Sequence, residues 1–119
     1  MKINPLKKNH IFSKAYKKGK KAVRRTVCVY CLSNPKPRSG PCMGITVSTK
    51  LGSAVSRNRA KRIIRAGYAA VLNERPLQNR FIVIVARSCC YDGNTKSTDV
   101  YRDLTEAFGE LGIFAEAGQ

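Results

Sequence analysis

Residues 44–65 read GITVSTKLGSAVSRNRAKRIIR. The stretch passes from a β-branched, apolar run through Gly52 and Ser53 into a segment of different period, so it predicts a strand, a turn and a helix in succession. TKLGSAV (49–55) turns the chain, Ser53 or Ser56 can cap the helix, and the helix then runs to about Leu72. At 100° per residue, Ala60, Ile63, Ile64, Gly67, Ala70 and Val71 share one stripe. Arg57, Asn58, Lys61, Arg62 and Arg65 lie opposite, and Arg59 falls between the two faces. Like charges four residues apart repel, so the helix is costly unless an anion meets it. A phosphate backbone, an acidic protein and an anionic membrane are the candidates.

Working outward, RRTVCVYCLS (24–33) and CMGITVSTK (42–50) alternate or run apolar around the Pro- and Gly-rich NPKPRSGP (34–41). Together they predict a β-hairpin with a long, mobile tip. LKKNHIFSKAYKK (6–18) spaces Phe12, Ala15 and Tyr16 as a short helix does, with Gly19 as its stop. RFIVIVARS (80–88) is apolar on both faces, as a central or parallel strand is. Val100, Leu104, Ala107, Phe108 and Leu111 then recur at helical intervals. The expected order is helix, strand, strand, helix, strand, helix, in one domain over residues 1–119, with no repeat or dividing linker. Gly67 costs roughly 1 kcal/mol against Ala inside a helix, so it is expected to allow close approach to the sheet.

Charge is distributed unevenly. Residues 1–73 hold 18 Lys and Arg and no acid, whereas residues 74–119 hold 5 basic and 7 acidic residues, within a formal net charge of +16. Such an excess repels itself and calls for a polyanion, which the first two thirds of the chain should meet. No stretch approaches the roughly 18–20 apolar residues of a membrane span, and the N-terminus lacks an apolar signal core, so a cytoplasmic location is expected. Five cysteines, an odd number, argue against a disulfide framework. Cys28 and Cys31 form a CxxC, but on a strand positions three apart face opposite ways, which favours small buried hydrophobes over zinc or redox chemistry.

Catalytic constellations are scarce. The single histidine, His10, sits in a lysine-rich run and reads as solvated surface. Asp99, Asp103 and Glu106 could in principle hold a divalent cation, but offsetting neighbouring charge and the start of a helix suits them better. No catalytic and no metal-ligating residue is expected. Phosphate contact explains the basic face better, since each phosphate neutralised by Arg or Lys releases counterions. Arg57, Lys61 and Arg65 recur about 6 Å apart on one helical face, near the spacing of phosphates along a strand. Phe12, Tyr16 and Tyr30 could stack unpaired bases or pack in a core, and a ring can do both.

FSKAYKKGK, GITVSTKLGSAVSRNRAKRIIR and RFIVIVARS together resemble the protein subunit of bacterial ribonuclease P, in order and over nearly the whole chain. AVSRNRAKRIIR, similar to the basic RNR helix of that family, carries the likeness most specifically. The resemblance implies an α+β, ribosomal-protein-like α/β sandwich of order α-β-β-α-β-α with a left-handed βαβ crossover, which ordinary topology rules would not have suggested. It also implies that a large RNA subunit holds the active site and its Mg2+, that the protein alone binds no cofactor, and that the holoenzyme removes the 5′ leader of precursor tRNA.

By position, the resemblance assigns Phe12, Tyr16, Tyr30, Ser48 and Lys50 to the single-stranded leader. It assigns Arg57, Asn58, Arg59, Lys61, Arg62 and Arg65 to the catalytic RNA. Tyr16 stands where some relatives have Phe, and both rings stack. The implied partners are the ribonuclease P RNA and precursor tRNA, with a monomeric free protein, one per RNA subunit, and no membrane. A ribosomal or other structural RNA-binding protein would share the charge and size but would not stimulate precursor cleavage. A stand-alone nuclease would cleave without RNA, and a membrane-surface protein would need large interfacial anchors that the basic helix lacks.

Overall fold

A strand that is apolar on both faces needs cover on both, and Arg80–Ala86 obtains it by taking the centre of a five-stranded sheet. The computed structural model describes residues 4–6, 9–33, 41–48, 50, 52–91 and 93–115. Its elements are β1 (Asn4–Pro5), α1 (Asn9–Lys18), β2 (Lys20–Val23), β3 (Val27–Ser33), β4 (Cys42–Thr46), α2 (Ala54–Glu74), β5 (Arg80–Ala86) and α3 (Ser97–Leu111), with a 3-10 turn at Ser88–Tyr91. The strand order is β1-β4-β5-β3-β2. β4 runs parallel to both β1 and β5, and β3 runs antiparallel to both β5 and β2. The chain therefore crosses from β4 to its parallel neighbour β5 through α2. The fold is α+β, as expected.

Register sorts the strand residues into two faces. Val29 pairs with Ile84 and Ala22, Cys31 with Ile82, and Ile82 with Met43. These residues form one core with Ile64, Tyr68 and Val71 of α2 and Leu104, Ala107 and Phe108 of α3. On the other face Val83 packs with Ala15 and Leu6, flanked by Ile11, Phe12, Tyr30 and Phe81. The layers are thus α1, sheet, then α2 with α3. Cys28 and Cys31 fall on opposite faces, the first half-buried and the second buried, and none of the five cysteines is in a disulfide.

Three expectations need correction. The predicted hairpin of residues 24–33 with 42–50 does not form, because β5 lies between β3 and β4. Alternation tells which way a side chain faces but not which strand lies beside it, and the strand most in need of cover takes the middle. The hairpin present is β2 with β3, closed by the Arg24 amide donating to Val27 O at 2.8 Å. β1 and β2 add two strands to the expected order. Residues 34–40, the expected loop tip, lie outside the described residues. Finally, α1 begins at Asn9, while Leu6 belongs to the chain beside β4, its amide donating to Met43 O at 3.0 Å.

Gly67 serves close approach, but to α3 and not to the sheet. A Cβ there would lie 2.9 Å from Val100 Cγ1, 3.0 Å from the Tyr101 nitrogen and 3.2 Å from Ser97 O. Two of the three are backbone atoms that cannot swing aside. Gly67→Ala should gain roughly 1 kcal/mol in helix propensity and lose more by wedging the helices apart, at about 1–3 kcal/mol for overpacking. Thermal unfolding is expected to show a lower midpoint, and a higher one would contradict this packing.

The capping of both long helices follows the sequence. Ser53 Oγ accepts the Ser56 amide at 3.2 Å, so Ser53 is the cap of α2. Asp99 Oδ2 accepts the Lys96 amide at 2.9 Å at the start of α3, where a carboxylate also suits the helix dipole. No helix among the described residues is long and apolar enough to cross a membrane.

Candidate nucleic-acid interface

α1 covers only part of its face of the sheet. Gly44 has no side chain to hold the helix off, and a Cβ there would overlap the Phe12 ring, so Phe12 lies directly on the β4 backbone. One turn later Tyr16 meets Tyr30 edge to face, with ring centroids 5.0 Å apart, and its hydroxyl is 2.7 Å from Thr46 Oγ1. Tyr16 thus spans β5, from β3 on one side to β4 on the other. Tyr16 is 41% exposed. The three aromatic residues expected to act together do converge.

Beyond Tyr16 the sheet surface lies open. Val23 pairs with Cys28, Cys28 with Val85, and Val85 with Thr46, so these four form one row across four strands. Val23 is 47% exposed and the other three are half-buried. At about 4.8 Å per strand the row runs roughly 14 Å. One cation shares its face: exposed Lys21 of β2 pairs with Tyr30 of β3. Burial, then a hydrogen bond with Cys28, pushes the Tyr30 phenol up from its ordinary value.

Ser48 and Lys50 stand where β4 leaves this row. Ser48 Oγ accepts the Lys50 amide at 3.1 Å, and the Ser48 amide donates to Tyr91 Oη at 2.8 Å. Lys50 is exposed. Lys21 and Val23 escaped the sequence reading because KKAV continues the lysine-rich run of α1. Once 20–23 pairs with 27–33, the two-residue period of a strand puts both on the face of Tyr30.

The residues of α2 assigned to RNA divide into three groups. Asn58, Arg62 and Arg65 are exposed, and Arg57 and Lys61 are half-buried. Arg57 Nη1 donates to Gly52 O at 2.9 Å, which ties it to the turn before the helix. Arg59 turns away from the others: its Nη2 donates to Thr95 O at 2.6 Å and Gly93 O at 3.1 Å. Of the residues assigned to RNA docking, Arg59 is thus not brought to the exposed face.

The described carboxylates have structural partners. Asp103, buried, accepts from the Thr26 amide at 2.9 Å and the Thr26 hydroxyl at 2.6 Å. Glu106 and Glu110 both face Arg24, each at 3.6 Å, Arg102 pairs with Asp99 at 3.5 Å, and Glu74 accepts from the Tyr101 hydroxyl. Among the described residues no three His, Cys, Asp or Glu converge as metal ligands do.

Known proteins resemble this chain throughout. The family model for Ribonuclease P matches residues 1–112. A ribonuclease P protein component of Bacillus velezensis is 39% identical over 117 residues, covering 98% of this chain and 96% of its own. One from Alkaliphilus oremlandii is 37% identical, covering 82% of each chain. A solved structure of the Staphylococcus aureus RNase P protein superposes with a TM-score of 0.77 at 31% identity, over 96% of this chain and all of that one.

Proposed function

The chain belongs to the ribonuclease P protein family, and from that premise we propose that it binds the catalytic RNA of a ribonuclease P ribonucleoprotein and the single-stranded 5′ leader of precursor tRNA. The observation that carries this reading is the half-open apolar row beside Tyr16, with stackable rings at its wall and exposed Lys21 on the same face. A sheet platform with exposed rings takes roughly two or three unpaired bases. Phe12, Tyr16, Tyr30, Ser48 and Lys50 contact the leader, and Lys21 joins them. Arg57, Asn58, Lys61, Arg62 and Arg65 take phosphates of the RNA subunit, whose strength of binding then falls with salt. The cleaving groups belong to the RNA subunit, with Mg2+ supplying the activated water there. The protein acts as a monomer, one per RNA, in the cytoplasm.

Tyr16→Ala tests the leader contact with little damage to the core, because the ring is largely outside it. Base stacking on a ring is worth about 1–3 kcal/mol, so the variant holoenzyme should bind precursor tRNA roughly tenfold more weakly and mature tRNA unchanged. Equal losses for both RNAs would mean that the ring only supports α1. Phe12→Ala should show the same preference with an added stability loss, since Phe12 packs on the sheet.

A further inference from the structure

The turn that joins the two proposed RNA sites is held from one side by a segment with no assigned role. Tyr91, at the end of the 3-10 turn, accepts the Ser48 amide at 2.8 Å. Its ring lies against Gly52, where a Cβ would come within 3.1 Å of Tyr91 Cδ1. Gly52 O in turn accepts from Arg57. Two residues beyond Tyr91, Gly93 O accepts from Arg59, as does Thr95 O. Thr95 is itself buried, and its hydroxyl donates to Cys89 O at 2.8 Å. The chain from Ser88 to Thr95 therefore grips the exit of β4 through Tyr91 and the second turn of α2 through Arg59.

We propose that this segment is a brace that sets the leader-facing turn against the RNA-docking helix, with Tyr91 and Arg59 as its positioning residues. Arg59 has little left to offer a phosphate. Its Nη2 serves two carbonyl oxygens, and its Nη1 is buried without a partner, enclosed by the protein. Its guanidinium is turned to the Gly93 and Thr95 carbonyls while Arg62 and Arg65, three and six residues on, are exposed. Tyr91 fixes Ser48, and through Ser48 Oγ it fixes the Lys50 amide. The proposal rests on the proposed function, because a brace between two RNA sites needs both sites.

Two conservative variants separate positioning from folding. Tyr91→Phe keeps the ring on Gly52 and removes only the acceptor of the Ser48 amide. In the reconstituted holoenzyme it should raise KM about two- to tenfold for precursor tRNA with a full leader, the share of one net hydrogen bond. KM for a precursor with a single leader nucleotide, kcat, and affinity for the RNA subunit should not change. Arg59→Gln keeps an N–H donor for the carbonyls but removes the charge. The slope of log affinity for the RNA subunit against log salt should stay at the wild-type value.

An unchanged full-leader KM for Tyr91→Phe overturns the brace, as does a slope for Arg59→Gln reduced by about 0.7–0.9, one phosphate's worth. A wild-type holoenzyme indifferent to leader length overturns the brace and the leader reading together. A wild-type enzyme that discriminates, alongside a Tyr91→Phe enzyme identical to it, overturns the brace alone.

Discussion

Replacing Lys61, Arg62 and Arg65 together by Ala is expected to weaken binding to ribonuclease P RNA on the order of a hundredfold at moderate salt. The salt dependence should flatten by about 2–3 in log–log slope, the contribution of three phosphates. Stability should hold or rise. Arg62 and Arg65 are exposed, and among the described residues none of the three has a carboxylate partner. Ala is the best helix former, and removing like charges relieves repulsion along the helix. Filter binding or calorimetry across a salt series, with thermal unfolding beside it, checks both halves. An unchanged slope would move the docking surface off α2.

The largest stability loss is expected at Asp103. Its Oδ2 accepts both the amide and the hydroxyl of Thr26, joining the β2–β3 turn to α3 inside the protein. Hydrogen bonds to a charged acceptor contribute roughly 1.5–3 kcal/mol each, and removing the carboxylate leaves two buried donors unpaired. Asp103→Ala should therefore cost about 3–5 kcal/mol, a large share of the stability of a domain this size. Asp103→Asn keeps one acceptor oxygen and should lose about half as much. Chemical denaturation of the three proteins gives the ranking, and an Ala variant as stable as the wild type would show that Thr26 finds other partners.

The sequence made some elements plain for physical reasons and hid others. β5 was legible because Phe81 to Val85 are apolar on both faces, which only a central strand needs. α2 was legible from its apolar stripe and from a cap at Ser53 or Ser56, of which the structure uses Ser53, although the stripe missed Tyr68 and Leu72, which the structure buries. The neighbour of β3 was not legible, since period-two alternation fixes facing and leaves pairing to the whole sheet. β2 was hidden because Lys20 and Lys21 look like more of α1.

In the candidate site, the aromatic cluster could be read from helical spacing and family resemblance. Arg59 could not be placed, because at 100° per residue it falls between the two faces, and carbonyls 34 and 36 residues away decide its direction. Tyr91 lay in CCYDGNTKST, a turn-like stretch with no period to follow. Its role comes from the return of the chain beside Ser48, a contact across 43 residues that local pattern does not encode.

Physically, a chain whose acids all lie at or after Glu74 divides its labour along its length. The last third closes the core, and its described carboxylates neutralise Arg24 and Arg102, cap α3, hold Thr26 or accept from Tyr101. The first two thirds keep a surplus of cations on α1, β2 and α2 that no carboxylate offsets among the described residues. That surplus is costly in the free protein and favourable once RNA replaces its counterions.

The most direct measurement is cleavage of precursor tRNA by a bacterial ribonuclease P RNA at low Mg2+ and near-physiological salt, with and without this protein. Accurate release of the 5′ leader, fast with the protein and slow without it, is the expected result, with no cleavage by the protein alone. Rates that do not respond to the protein, although the RNA is active at high Mg2+, would contradict it.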